Sequence, residues 1–121
     1  MPQITVDYSH PGEDSFDIDG FTRALHEAVV EIAAAKPEAC KTMIRHDNLS
    51  AYGYADRADE AHALVRVSIA LLPGRTDEVK VRLTEATLEL LGKYIAPQDG
   101  VTVHASAEVR ELDASYRKFD R

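Results

Sequence analysis

Apolar and polar positions along the chain fall into two rhythms, one with a period of two and one with helical spacing. Positions 2–8 read PQITVDY, with Ile4 and Val6 on one side and Gln3, Thr5 and Asp7 on the other, which predicts a short strand. His10-Pro11-Gly12 breaks it, and an acidic loop follows. Phe21, Leu25, Ala28, Val29 and Ile32 then recur on one helical face. Asp19 is the expected cap of that helix, Ala33, Ala34 and Ala35 favour it, and Pro37 is expected to stop it near Lys36. Over 38–60 the pattern is weakest. Met43 and Ile44 with Tyr52-Gly53-Tyr54 suggest a broken strand and a loop, and 56–60 reads as exposed.

The second half repeats the scheme. Val65, Val67, Ile69 and Leu71 alternate with Arg66, Ser68 and Ala70 inside 61–72, a well-buried strand ended by Pro73-Gly74. Thr76 is the expected cap of a helix whose first turn holds Asp77 and Glu78, where exposed amides favour acids. Its stripe of Val79, Leu83, Ala86, Leu90 and Tyr94 runs to Ile95, and Pro97 and Gly100 mark the exit. Positions 101–109 alternate again, and a polar tail over 113–121 carries Tyr116 and Phe119.

Strand, helix, strand, twice over, predicts a single α+β domain across 1–121. It has pseudo-repeat halves near 1–60 and 61–121 and two layers: a four-stranded sheet with both helices on one face. With Val65, Val67, Ile69 and Leu71 turned to the helices, Ala61, Ala63, Ala70 and Leu72 are expected on the opposite face. A sheet apolar on both faces calls for burial against another copy, so an oligomer is expected.

Composition narrows the partners. The net charge of −7 arises in the first half, where 12 acids face 5 bases, whereas 61–121 has 9 of each. That balance argues against nucleic acid or an anionic membrane as partner. Cys40 is the single cysteine, so no internal disulfide forms and a reducing, cytoplasmic setting is expected. No signal-peptide core is visible at the start.

Phosphate-loop, G-x-S-x-G and H-E-x-x-H patterns are missing. The five histidines lack metal-ligand spacing and read as solvated or hydrogen-bonded structural groups, so neither cofactor nor metal is expected. Cys40 reads as a small buried hydrophobe. The start is more suggestive. Removal of Met1 would leave Pro2 with a secondary α-amine, and apolar surroundings or nearby guanidinium groups would favour its neutral, basic form. A second-position proline also serves simply to permit methionine removal. Arg75, between Pro73-Gly74 and the helix opening at Thr76, can hold a carboxylate bidentately with the helix amides behind it, or can be a solvated loop residue. Arg45 follows Met43-Ile44 and can approach the same place, while Arg66 is expected to pair with Glu108 or Glu111.

With Pro2, Ile44-Arg45 and Pro73-Gly74-Arg75 in this order, the chain resembles the 5-carboxymethyl-2-hydroxymuconate isomerase family of the tautomerase superfamily. The opening MPQITVDYS, the run VRVSIALLPGRT and the late EVRELDASYRKF carry the likeness across nearly the whole chain. The resemblance implies a homotrimer of β-α-β-β-α-β subunits that isomerises a 2-hydroxy-dienoate dicarboxylate or tricarboxylate in the catabolism of aromatic compounds such as 4-hydroxyphenylacetate. It also implies Pro2 as the base and Arg75 and Arg45 as carboxylate-binding residues. An arginine often found two positions beyond Arg45 is absent. His46, Asp47 and Asn48 occupy that stretch, and whether His46 or Asn48 replaces it is left open by the sequence. Other tautomerases (phenylpyruvate-like or 4-oxalocrotonate-like) and a non-catalytic oligomeric binding module stand beside this reading.

Overall fold

Alternation at the start of the chain forms strand β1 (Gln3–Ser9), and the first helical stripe forms α1 (Ile18–Ala33). A short 3-10 turn (Pro37–Ala39) leads into β2 (Lys41–Asp47), followed by a hairpin of β3 (Ala51–Tyr52) and β4 (Asp56–Arg57). The second half gives β5 (His62–Leu71), α2 (Asp77–Tyr94) and β6 (Thr102–Glu111). These elements come from a computed structural model that describes residues 2–9, 15–47, 50–54 and 61–121, with the backbone alone at 56–57. The expectations placed on Met1, His10-Pro11-Gly12, Asn48 and 58–60 lie outside the described residues.

The main sheet runs β2-β1-β5-β6, with β1 parallel to β2, antiparallel to β5, and β5 parallel to β6. Each helix is thus the crossover between two parallel neighbours, as the repeated pattern predicts. Register fixes the faces. Ile4 lies opposite Ile69, Val6 opposite Val67 and Tyr8 opposite Val65, and this row packs with Phe21, Leu25 and Val29 of α1 and Leu83 and Leu91 of α2. The other row holds Gln3, Thr5 and Asp7 opposite Ala70, Ser68 and Arg66.

Five expectations need correction. The N-cap of α1 is Asp17, whose carboxylate accepts the Gly20 amide at 3.1 Å; Asp19 sits in the first turn instead. The chain enters here because Phe16 bridges Ile95 and the Asp17 amide donates to the Tyr94 carbonyl, which ties the start of α1 to the end of α2. At the other end α1 stops at Ala33, with Ala34 in the left-handed region (φ 57°), before Pro37 can act. The expected broken strand is an unbroken seven-residue edge strand, β2, whose exposure hides its rhythm. Ala63 shares the helix-facing row of Val65 and is buried, so the uncovered face of β5 carries His62, Leu64, Arg66 and Ser68 and is more polar than expected. Finally, Glu111 bonds Lys80 of α2 at 3.3 Å rather than Arg66.

The tail turns onto this uncovered face. The Leu112 amide donates to the Leu71 carbonyl at 2.7 Å, and the Gln3 side chain donates to the Tyr116 hydroxyl at 3.2 Å. Ala70, the register partner of Gln3, is buried.

The cap of α2 is the one anticipated, with the Thr76 hydroxyl accepting the Val79 amide at 3.2 Å. Thr76→Ala is expected to lower unfolding free energy by about 1 kcal/mol, read as a lower urea midpoint with an unchanged slope.

Candidate functional site

Pro2 precedes the first residue of an interior strand. Its side chain is fully buried, and its carbonyl accepts the Lys41 amide at 3.3 Å. One step back along the register, it lies level with Cys40 beside β2 and with Leu71 at the end of β5. Three chain segments therefore meet at this end of the sheet: the entries to β1 and β2 and the exit of β5.

Arg75 lies at the same end, four residues beyond Leu71. Its Nε and Nη2 groups donate to the Ala33 carbonyl at 3.0 and 2.9 Å, and Nη1 donates more loosely to the Leu72 carbonyl at 3.4 Å. The carbonyl it grips is one left without a helical partner at the end of α1, where a cation is also favoured by the helix dipole. The side chain is thus held by the carbonyl end of α1, while the backbone of Arg75 leads directly into the amide end of α2 at its cap Thr76. Among the described residues three of its five N–H groups are engaged in this way. Arg75 is half-buried and oriented, unlike a solvated loop residue.

Arg45 is arranged differently. Its Nε and Nη2 donate to the two Asp7 carboxylate oxygens at 2.7 and 3.0 Å, a fork-on-fork pair on the uncovered sheet face. The Asp7 hydrogen bond pushes the guanidinium pKa up further. Arg45 follows Cys40 by five residues along an extended strand, about 16 Å at roughly 3.3 Å per residue. The chain thus brings Pro2 and Arg75 to a common end and leaves Arg45 toward the other. His46 points to the helix side, where its ring stacks on Tyr8 with centroids 4.8 Å apart, so it does not share a face with Arg45.

Cys40 adjoins the site but is a poor nucleophile. It is buried, its Sγ donates to the Lys36 carbonyl at 3.6 Å, and burial raises its thiol pKa. Sequence reading missed its place beside Pro2, which follows only from the β1–β2 register. It also missed a ring cluster at the far end of the uncovered face. His62 Nδ1 and His104 Nε2 are hydrogen-bonded at 3.0 Å, and Tyr52 stacks on both rings at 4.1 and 4.6 Å. This cluster holds the β3–β4 hairpin against β5 and β6, in keeping with a structural role for these histidines. A cavity of about 710 Å³ beside it is lined by Asp7, Arg66, His104 and Ser106.

No family model matches the chain, and a search of curated proteins finds no match. Solved structures do match. A 5-carboxymethyl-2-hydroxymuconate isomerase from Deinococcus radiodurans R1 superimposes with a TM-score of 0.83 at 17% identity, covering 98% of this chain and 90% of its own. A 5-carboxymethyl-2-hydroxymuconate delta-isomerase gives 0.70 at 18% identity over 99% and 89%. A fused 4-OT that is a symmetric trimer gives 0.74 at 14% identity over 98% and 93%. At these identities the likeness establishes the fold, a tautomerase-type β-α-β-β-α-β subunit with a four-stranded mixed sheet and two helices. Among the described residues no helix is long and apolar enough to cross a membrane.

On the helix side of the sheet, His26 Nε2 bonds the Thr42 hydroxyl at 2.7 Å, and burial lowers its pKa. The neutral ring is thus favoured in the folded state, while the unfolded chain takes up a proton near the ordinary value of about 6.5. The resulting stability is present above that value and is lost as pH falls from it through the lower folded pKa. Wild-type protein should lose more urea stability between neutral and mildly acidic pH than His26→Gln; equal losses would contradict the assignment.

Proposed function

We propose that the protein is a cofactor-independent tautomerase that uses Pro2 as general base and Arg75 as its anion-binding group. Its best-fitting substrate is a 2-hydroxy-dienoate acid of the 5-carboxymethyl-2-hydroxymuconate type. The observation that carries this reading is the convergence of a buried proline at the start of an interior strand with a guanidinium anchored at the same sheet end. The fold shared with 5-carboxymethyl-2-hydroxymuconate isomerases adds support.

With Met1 removed, the neutral Pro2 nitrogen takes the enol proton of the substrate. The electron pair released from the O–H bond forms the 2-oxo group and moves along the conjugated system. The prolinium then returns the proton to a carbon further along the chain, giving the 2-oxo-enoate with the base regenerated. Arg75 holds the carboxylate or the 2-oxygen as charge gathers there, a contribution that grows in the transition state. Because α1 fixes the guanidinium beforehand, little reorganisation is needed at that moment.

Arg45 would complete a diacid site as the residue of a neighbouring copy in a homotrimer, with its Asp7 pair released. The fused 4-OT trimer supports that assembly by analogy of fold. A second reading has its own support: Asp7 occupies Arg45, so one subunit offers a single anchored arginine at the proline end, which suits a monocarboxylate enol of the phenylpyruvate type. A place in aromatic-compound catabolism follows from either acid.

Arg75→Ala is expected to lower kcat/KM about 10²–10³-fold on the preferred acid, as for removal of an oxyanion-hole donor. Loss of ultraviolet absorbance by the conjugated enol follows the reaction, at a temperature where the variant is fully folded. Turnover at the wild-type rate would remove Arg75 from the mechanism.

A further inference from the structure

We propose that the open edge of β2 is a self-pairing surface: it takes the same strand of a second copy, antiparallel, about a two-fold axis at Ile44. The inference goes beyond the tautomerase reading and does not rest on it. β2 ends the strand order β2-β1-β5-β6, and among the described residues no backbone partner meets the outer side of Thr42 or Ile44. The Lys41 amide points inward to Pro2, so alternation turns the N–H and C=O of Thr42 and Ile44 outward. Such an edge is a template for another strand unless a proline, a bulge or repelling charges block it. β2 has no proline, and its seven residues run in unbroken register with β1.

The strand sequence, KTMIRHD, selects both the partner and the register. Paired with itself about Ile44, Lys41 lies opposite the partner's Asp47 at each end, and Met43 lies opposite the partner's Arg45. These odd positions share the uncovered face with Gln3, Thr5 and Asp7. There the two outer pairs attract, and the Arg45 stem covers Met43. At the axis the two Ile44 residues exchange both of their outward backbone bonds. Moving the axis to Met43 sets Lys41 against Arg45, and moving it to Arg45 sets two guanidinium groups against each other. The axis at Ile44 alone overlaps all seven residues.

Apolar exposure agrees with this register. Met43 is 74% exposed and Ile44 43%. Ile44 faces the helix side, where a groove of about 680 Å³ between α1 and β2 is lined by His26, Val30, Pro37 and Ile44 itself. In the pair, the two Ile44 side chains lie together on that side, and each extends the apolar lining of the other's groove. Strand bonds, two charge pairs and a shared apolar strip make a closed, self-complementary contact. Alone it gives a dimer; joined to a threefold contact elsewhere it gives a hexamer.

The test is sedimentation velocity of the full chain over a range of concentrations, for wild type, Lys41→Asp, Asp47→Lys and the double swap, each checked for native circular dichroism. Wild type should form an even-numbered assembly. Each single reversal should raise the dissociation constant of the two-fold contact about tenfold, because both outer pairs turn repulsive, and the double swap should restore it. Mild oxidation adds a check that changes no charge. In this register Ile44→Cys faces itself with Cα atoms about 5.5 Å apart, inside disulfide range, whereas Met43→Cys faces itself at roughly 8 Å, outside it. Ile44→Cys should therefore give a reducible dimer and the more exposed Met43→Cys should not, with wild type and its buried Cys40 as the background. This pairing in a protein without tautomerase turnover would uphold the inference and overturn the catalytic reading. A wild type that is monomeric or odd-numbered at every concentration, a double swap as weak as the single reversals, or crosslinking that fails at position 44 or succeeds at position 43 would each overturn the inference.

Discussion

The arrangement depends on one constraint: β1 is an interior strand hydrogen-bonded on both sides, and it begins one residue after Pro2. Pairing with β2 and β5 fixes the strand laterally, while Ile4 and Val6 drive its helix-facing row into the core. A chain start would ordinarily fray. Here the second residue is fully buried and hydrogen-bonded through its carbonyl, so whatever chemistry its nitrogen carries is delivered to a defined place.

Arg75 joins fold and chemistry in one group. The carbonyl at the end of α1 needs a donor, and the guanidinium that supplies it is thereby oriented at the proline end. That carbonyl is left open because Ala34 turns into the left-handed region and ends the helix at Ala33 despite three consecutive alanines. The anchoring also separates Arg75 from Arg45, whose fork is closed on Asp7 at a solvent-exposed edge. Of the two arginines suggested by sequence, one is anchored at the proline end of the sheet and the other is held on Asp7 toward the opposite end.

Much of the fold is legible in the sequence. Val65, Val67, Ile69 and Leu71 announce an interior strand because burial on the helix face demands a period of two, and Thr76 with Asp77 and Glu78 announces the following helix by its end chemistry. The edge strand β2 was obscured because Met43, Ile44 and Arg45 are all exposed, so no buried row imposes a rhythm. The sequence points to Asp19 rather than Asp17 because capping depends on where the Phe16–Ile95 bridge brings the chain into the helix, which is a tertiary fact. At the candidate site, Pro2 and Arg75 could be singled out from position alone. The neighbours of Pro2 could not: Cys40 and Lys41 reach it through strand register, and the partners of Arg75 and Arg45 lie 42 and 38 residues away in sequence.

The central claim is that Pro2 carries an uncharged, basic ring nitrogen near neutral pH. Nitrogen-15 NMR of Pro2-labelled protein across a pH titration tests it most directly. The account predicts a secondary amine that titrates and is predominantly neutral at pH 7. A nitrogen with the shift of a non-titrating amide, or one still fully protonated at that pH, would contradict it.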